Sequence, residues 1–579
     1  MTYAAPLTEQ RFVLETIADL ASLSGLPRFE SSAFELAAAI LEESGKLASG
    51  VMAPLNRIGD VQGARFENGA VKLPDGFRQA YRQYVEGGWG SLTADPADGG
   101  QGLPFVLACA VQEQFTSANM AFSLCMMLTQ GAIEALAAHG SEDQKRTWLA
   151  KLVTGEWTGT MNLTEPQAGT DVGAVRTAAK RAGDGSWRIS GQKIFITWGE
   201  HEIADNIIHL VLARTPGSPA GTKGISLFLV PRVLADGTRN DVRCVSIEHK
   251  LGIHASPTCT MSFGDDGACV GYLVGEECAG MRAMFTMMNH ARINVGLQGV
   301  AIAERAYQEA LAYARERVQV QRIIEFPDVR RMLMTLKATT EAIRALTYRT
   351  AAEADRAHGE TDAAARRAAQ GLADLLTPVT KAYATDMGVE MSSLALQVFG
   401  GMGYVEETGA AQHLRDARIA PIYEGTNGIQ AMDLVGRKLP QGHWTALFDE
   451  IRGFIRSLPD GGDLGVIAAH LEEGLDALDK ATNWMTRRQE ADPADAAAGA
   501  TPYLRMFGTV MGAYLLARQA ATARTMPEGY DPKFLKAKTA TARFFVEQIL
   551  PQSTALVWTA TRGSAALFEL DEELFSASH

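Results

Sequence analysis

Positive charge is what this 579-residue chain has least to spare: 54 Lys and Arg stand against 67 Asp and Glu, a formal net charge of −13. Without a basic excess to neutralise phosphates, nucleic acid is excluded as a main partner, and the acidic balance reads as solubility. Cysteine is scarce as well. The six at Cys109, Cys125, Cys244, Cys259, Cys269 and Cys278 form no Cys-x-x-Cys pair and no Cys/His cluster. That excludes a disulfide scaffold and leaves no metal site to expect, so the thiols read as reduced and the chain as cytoplasmic. The start Met1-Thr2-Tyr3-Ala4-Ala5-Pro6 lacks the basic region and apolar stretch of a secretory signal. No long apolar run is present either, since Ala118 to Ala138 is interrupted by Asn119, Thr129, Gln130 and Glu134. Such a stretch suits a buried helix rather than a membrane insertion. Nucleotide loops, the Gly-x-Ser-x-Gly elbow and the His-Glu-x-x-His helix are all missing, and Gly401-Met-Gly403 is too short to count. Kinases, dinucleotide folds, triad hydrolases and zinc peptidases drop out.

What is present changes texture along the chain. Residues 1–160 show apolar spacings of three and four and predict an all-helical domain. From 161 to 283 short β-type runs take over, including Lys193-Ile-Phe-Ile-Thr197, Ile207-Ile-His-Leu-Val-Leu212 and Gly224-Ile-Ser-Leu-Phe-Leu-Val230. Helical periods return over 284–440, and a break at Leu439-Pro440-Gln441-Gly442 precedes an appended helical domain, 441–579. Within that last region an internal loop is expected over Glu490 to Pro502, rich in Ala, Asp and Gly. The class is α+β, mainly α, without the alternating strands and helices of a parallel sheet.

Four polar, glycine-containing turns can carry chemistry. In Met161-Asn-Leu163-Thr164-Glu165-Pro166-Gln-Ala-Gly169-Thr170-Asp171, Pro166 and Gly169 force a turn whose threonine hydroxyls can meet a ring or a carbonyl. The alternative is a turn capped by Asp171, with Glu165 as a turn hydrogen-bonder rather than a catalyst. In Phe195-Ile-Thr197-Trp198-Gly199 an aromatic and a hydroxyl two residues apart suit a flat heteroaromatic cofactor; the alternative is a core aromatic. Gln397-Val-Phe-Gly400-Gly401-Met-Gly403-Tyr404 lets backbone N–H groups approach a phosphate, or simply ends a helix. In Pro421-Ile-Tyr423-Glu424-Gly425-Thr426-Asn427-Gly428 a glutamate sits between an apolar run and a turn that starts another helix. Desolvation there would raise its proton affinity, as a base for a weakly acidic carbon requires; the alternative is a solvated loop.

Taken together and in order, these turns, with Gly191-Gln192-Lys193 and the Arg292-Ile helix, resemble the acyl-CoA dehydrogenase family over roughly residues 35–438. The resemblance implies a helical domain, a β-barrel-like domain and a four-helix bundle, with FAD as cofactor and an acyl-CoA as substrate. It places Met161, Leu163, Thr164, Gly169 and Thr170 on the flavin and substrate side, and Phe195 and Thr197 beside the flavin ring. Gln397, Gly400, Gly401 and Arg317 would meet the pyrophosphate of a partner subunit's FAD, and Thr426 the FAD diphosphate. Thr170, Asn289, Arg292, Tyr423 and Gly425 would face the substrate. Glu424 matches the family's base, taking the α-proton while flavin N5 takes the β-hydride; the other carboxylate position known in the fold falls on Ala291, which cannot serve. Electron-transfer flavoprotein is the implied acceptor.

Three departures stand out. Arg317-Val-Gln319-Val320-Gln321 lacks the usual aromatic, Asn427-Gly428 replaces a glutamine, and Met161 replaces a tyrosine. These, the length and the appended domain resemble the subgroup that oxidises 3-methylmercaptopropionyl-CoA to 3-methylthioacryloyl-CoA in dimethylsulfoniopropionate breakdown. Cys125-Met126-Met127 could suit a thioether by soft contacts or be plain core. A general short- or medium-chain acyl-CoA dehydrogenase and a non-catalytic flavin-bearing binding protein are the competing readings. The appended domain is expected to cover a bundle face and leave a homodimer.

Overall fold

The computed structural model describes residues 3–30, 33–526 and 529–576, the side chain of Asn289 excepted. The chain divides into two compact units. The first gathers Ala39–Leu103 and Gln114–Asn294, the second Pro6–Ala38, Pro104–Glu113 and Val295–His579.

The first unit is built on eight strands: β1 (Trp157–Asn162), β2 (Ala178–Arg181), β3 (Trp187–Thr197), β4 (Asn206–Arg214), β5 (Ile225–Pro231), β6 (Val242–Ile247), β7 (Thr258–Phe263) and β8 (Val270–Val274). Their order is β8-β5-β4-β2-β3-β7-β6, with β1 alongside β4 and β8 also paired to β3. β8 therefore closes a ring, the barrel-like element that the family resemblance implies. Strands β4 and β5 are buried almost throughout, so both of their faces are covered. The interior is filled by Trp187, Ile189, Ile196, Val211, Phe228, Val230 and Phe263. Helix α1 (Met120–His139) lies on β1 so closely that a Cβ at Gly159 would stand 2.4 Å from that of Ala132. With a mean hydropathy of 1.4 this helix is apolar enough to cross a membrane, but 83% of that window is buried in the protein, as its polar interruptions predict. Cys125, Met126 and Met127 are all buried in it.

One element in this unit departs from expectation. The stretch read as all-helical contains an antiparallel hairpin, Arg65–Glu67 with Ala70–Lys72. Its turn is Asn68-Gly69, both at positive φ, and Asn-Gly at that position is a strong hairpin signal that the surrounding helical spacing masked.

The second unit is helical. Helix α2 (Gly280–Glu316) continues into it, followed by α3 (Pro327–Gly359) and α4 (Ala363–Phe399), α5 (Asn427–Asp433), α6 (His443–Ser457), α7 (Gly462–Ala491), α8 (Pro493–Thr525), α9 (Pro532–Gln548) and α10 (Pro551–Ala560). Arg344 of α3 is buried between Glu113, 2.8 Å away, and Glu304, 2.6 Å away, and Tyr348 donates to Glu113. Helix α8 packs on both α3 and α4. A Cβ at Gly508 would stand 2.3 Å from the ring of Tyr383, and one at Gly512 3.1 Å from Ala342. The appended region thus covers a bundle face, in line with expectation. The loop expected over Glu490–Pro502 does not exist: α7 runs to Ala491, Asp492 caps α8 by accepting from Ala494 N, and Pro493 occupies the first turn. Alanines that read as a linker are good helix formers once Pro sits where its missing N–H costs nothing.

Candidate active site

In the sheet unit, the turn that follows β1 is strapped to β3. Glu165 is buried and its carboxylate accepts from Arg176 N (2.7 Å), Thr177 N (3.0 Å), Thr177 Oγ1 (2.6 Å), Gln167 Nε2 (2.6 Å) and Lys193 Nζ (2.8 Å). The Lys193 ammonium, itself buried, also donates to Leu163 O at 2.9 Å, and Ile194 N donates to Thr164 O at 3.0 Å. Burial alone would push the Glu165 carboxyl up, but the Lys193 charge and these hydrogen bonds hold it at about 2. Burial brings the Lys193 ammonium down to about 8 against the pull of Glu165. Glu165 is therefore the hydrogen-bond hub of the turn, as expected. Asp171 precedes a short helical turn, yet its side chain caps nothing there. Gly169 and Thr170 are exposed; Met161, Leu163 and Thr164 are half-buried.

Further along β3 the pairing with β7 slips between Lys193 and Ile196, a bulge that re-aims two aromatics. Phe195 adopts φ +59° and stands 58% exposed, while Trp198, at φ +53°, is fully buried and donates from its indole to Ala121 O at 3.2 Å. The core aromatic of this strand end is Trp198, not Phe195. A bulky residue at positive φ costs on the order of 1–3 kcal/mol, so an outlier holding an aromatic ring out of the core points to a ligand surface. Thr197 is half-buried two residues on.

In the helical unit, α4 ends at Gly400, φ +59°, whose N donates to Gln397 O. Space around Gly400 and Gly401 is open, with no atom within 4 Å of an added Cβ, so backbone amides there can be approached closely. Gln397 is exposed, and Phe399 is buried against Tyr313 with ring centroids 4.6 Å apart. Arg317 is exposed at the start of a small hairpin, Val318–Gln319 with Gln321–Arg322.

The loop carrying Glu424 is held on α4 by a buried polar cluster. Lys381 donates to Gly425 O (2.8 Å) and Asn427 Oδ1 (2.9 Å). Asn427 in turn donates to Asp386 Oδ1 (2.7 Å), Thr385 Oγ1 (3.0 Å) and Ala382 O (3.1 Å). Burial pushes the Asp386 carboxyl up. Thr426 caps α5 by accepting from Ile429 N at 3.3 Å, so the Gly-Thr turn does start a helix. Glu424 sits half-buried at φ +56° next to Gly425 at +84°, a left-handed pair that lifts its side chain off the preceding run. Tyr423 donates to Gln298, and burial drives its phenol well above the ordinary range. Arg292 and Ala291 are buried on α2, and Ala291 offers no carboxylate. The side chain of Asn289 lies outside the described residues.

Two residues escaped the sequence reading. Lys381 carries a signal in retrospect, a lone charge in the otherwise uncharged run Leu375 to Thr385. Asn427, read as a lost cofactor contact, is engaged with α4 on every side. A cavity of about 490 Å³ lined in part by Trp148, Arg181 and Tyr272 contains none of the predicted site residues.

Four family models match in register with these elements. They are "Acyl-CoA dehydrogenase, N-terminal domain" over residues 61–156, "Acyl-CoA dehydrogenase, middle domain" over 160–265, "Acyl-CoA dehydrogenase, C-terminal domain" over 279–439 and "Acetyl-CoA dehydrogenase C-terminal like" over 447–571. The chain belongs to the acyl-CoA dehydrogenase family. It is 46% identical, over 96% of its length and 97% of the relative's, to 3-methylmercaptopropionyl-CoA dehydrogenase of Ruegeria pomeroyi. It is 35% identical to a butyryl-CoA dehydrogenase of Syntrophomonas wolfei over 93% of both. Among solved structures, an acyl-CoA dehydrogenase complexed with FAD from Bacillus anthracis matches with a TM-score of 0.75 over 98% of this chain and 93% of that one, at 21% identity. Acyl-CoA dehydrogenases are oxidoreductases that bind FAD and act on acyl-CoA thioesters, and the residues here fit that cofactor: an aromatic ring held outward at Phe195, hydroxyls at Thr164 and Thr197, and open glycines at 400 and 401.

Proposed function

We propose that this acyl-CoA dehydrogenase acts on 3-methylmercaptopropionyl-CoA, giving 3-methylthioacryloyl-CoA, with Glu424 as the base. The observation that carries the choice of base is the anchored loop: Lys381 and Asn427 fix the backbone immediately after a glutamate in a left-handed conformation. Fixing a base to a few tenths of an ångström is what makes proton removal from a weakly acidic carbon effective. The α-proton goes to the Glu424 carboxylate, and the Glu424 backbone N–H is the donor offered to the thioester oxygen where enolate charge develops. FAD, when bound, supplies the acceptor for the β-hydride and its two electrons. Met161, Leu163, Thr164, Gly169, Thr170, Phe195 and Thr197 would hold the flavin end, and Arg317, Gln397, Gly400, Gly401 and Thr426 the phosphates. Thr170, Asn289, Arg292, Tyr423 and Gly425 are assigned to the substrate. The division into 1–160, 161–283, 284–440 and 441–579, a cytoplasmic homodimer, electron-transfer flavoprotein as acceptor and a place in dimethylsulfoniopropionate breakdown belong to the same proposal.

The choice of acyl group is supported by the 46% identical relative. The butyryl-CoA dehydrogenase relative favours a second reading, a short-chain fatty acyl substrate. Anaerobic mixing of the purified flavoprotein with 3-methylmercaptopropionyl-CoA, butyryl-CoA and octanoyl-CoA separates them by loss of visible flavin absorbance. Bleaching by the thioether substrate at least as fast as by butyryl-CoA is expected. Faster bleaching by butyryl- or octanoyl-CoA replaces the proposal with fatty acyl oxidation, and no bleaching by any of them makes the chain a flavin-bearing binding protein.

A further inference from the structure

Glu424 is held from two helices besides α4. A non-glycine residue at φ +56° persists only where its surroundings fix its backbone rotations. Because each peptide is planar, φ orients the peptide that enters a residue and ψ the one that leaves it. The peptide leaving Glu424 is gripped by Gln430, on α5, whose Nε2 donates to Glu424 O at 3.4 Å and is shared with Gly425 O at 3.3 Å. Glycine is required at 425 twice over: φ +84° disfavours any side chain, and a Cβ would stand 2.7 Å from that same nitrogen. The peptide entering Glu424 comes from Tyr423. Its N donates to Ile419 O at 3.2 Å, and its phenol donates to Oε1 of Gln298, on α2.

Both glutamines are buried, Gln430 completely and Gln298 with 2% of its surface exposed. At Gln430 this burial is costly, because its Oε1 is buried too and takes no donor among the described residues. An amide with one end unused costs more to bury than an apolar side chain of similar size such as methionine, so the donor end is what the position serves. Reversing the amide would turn its oxygen onto two carbonyl oxygens, which leaves one orientation open to it. Gln298 is the complement, an acceptor. A phenol has one proton to donate, and spent on Gln298 it does not go to the carboxylate that follows Tyr423 in the chain.

We infer that Gln430 and Gln298 are positioning residues for proton removal, Gln430 fixing the peptide after Glu424 and Gln298, through Tyr423, the peptide before it. Lys381 locks the next carbonyl. The carboxylate that takes the α-proton and the N–H that meets the thioester oxygen belong to the same residue, and with both torsions held they keep one mutual geometry. The α C–H bond then breaks and its electron pair moves onto the thioester oxygen without the site having to reorganise. The inference rests on Glu424 as the base and is independent of the acyl group.

The test uses the full-length holoenzyme and two readouts, steady-state turnover of whichever acyl-CoA bleaches the flavin fastest and enolate formation from acetoacetyl-CoA. The α-carbon of acetoacetyl-CoA is acidic and its β-carbon has no hydride to give, so the reaction stops at the enolate and is followed as difference absorbance against pH. Gln430→Met should lower kcat roughly ten- to a hundredfold with KM within about threefold and FAD retained. It should also raise the pH midpoint of enolate formation by about one unit, a tenfold loss of enolate stabilisation. Should that variant not fold, Gln430→Asn, which keeps the amide but withdraws it by one methylene, is read in the same way. Gln298→Met and Tyr423→Phe should each lower kcat about tenfold, and the double variant should fall no more than about threefold below either, because the two act through one hydrogen bond. An unmoved midpoint in the Gln430 variants, with or without a loss of kcat, overturns the role of Gln430. Losses that multiply in the double variant, or single variants without effect, overturn that of Gln298. Glu424→Gln run alongside separates the two levels: near-normal turnover sinks the base itself, whereas a dead Glu424→Gln beside fully active glutamine variants keeps the base and sinks the positioning.

Discussion

Two loops in this chain look alike on paper and are built alike, yet their lysines hold different atoms. The turn at 161–171 and the loop at 421–428 each pair a glutamate with a nearby glycine and threonine, and each is tied to a regular element by one buried lysine. In the first, Lys193 bonds the carboxylate itself, and Glu165 collects five hydrogen bonds. In the second, Lys381 bonds the Gly425 carbonyl and the Asn427 amide oxygen. A carboxylate saturated by donors is a fastener, held charged far below its usual titration; at Glu424, the base we propose, the lysine fastens the neighbouring backbone instead.

That contrast can be broken or sharpened, most severely at Glu424. Glu424→Gln should lower turnover by roughly 10²–10⁴, since an amide cannot accept the α-proton, while visible absorbance shows FAD retained. Near-normal turnover would end its role as base. Next comes the fastener. Lys193→Met leaves the Glu165 carboxylate buried without its cation, so denaturant unfolding should show a loss of about 3–5 kcal/mol. The pH arm has a definite sign: Glu165 sits at about 2 in the fold against 4.5 in the open chain, so its contribution is complete above 4.5 and fades as pH falls towards 2. An unfolding midpoint flat across that window in the wild type, compared with Glu165→Gln, would contradict it. Smaller again is Lys381→Met, expected to cut kcat by roughly ten- to a hundredfold with KM changed less, because positioning is lost and the base is kept. A loss confined to KM would make Lys381 structural only. Smallest is Phe195→Gly, which should raise apoprotein stability by about 1 kcal/mol on relief of a positive φ while weakening FAD retention. Loss of both would show the ring to be core packing.

Much of the layout was legible because it rests on local patterning. Helix and strand periods change where the sheet begins, Thr426 caps the helix the Gly-Thr turn predicts, and Glu165 before a proline reads as a turn hydrogen-bonder. What was not legible depends on partners far along the chain. Lys381 finds Gly425 across 44 residues, and no local rule points a helical lysine at that carbonyl. That Phe195 points out and Trp198 in depends on a bulge in the pairing with β7 that shifts the inside-outside alternation, and register is a property of two strands rather than one. The loop expected at 490–502 failed because Ala, Asp and Gly serve equally well in a linker and at a capped helix start.

The buried cluster that joins the two ends of the chain has a consequence in time. Lys538 lies 2.6 Å from Glu9 and 2.8 Å from Glu341, with the ring of Phe12 beside it. During synthesis those carboxylates leave the ribosome more than five hundred and nearly two hundred residues before their cation does. Until it arrives, Glu341 has only Lys337 of its own helix and Glu9 lacks the cation it bonds, and at about 5–20 residues per second that wait is roughly 30–100 seconds for Glu9. The helical unit is therefore finished last to first, and a chain stopped short of α9 is left with an unfilled seam rather than a smaller domain.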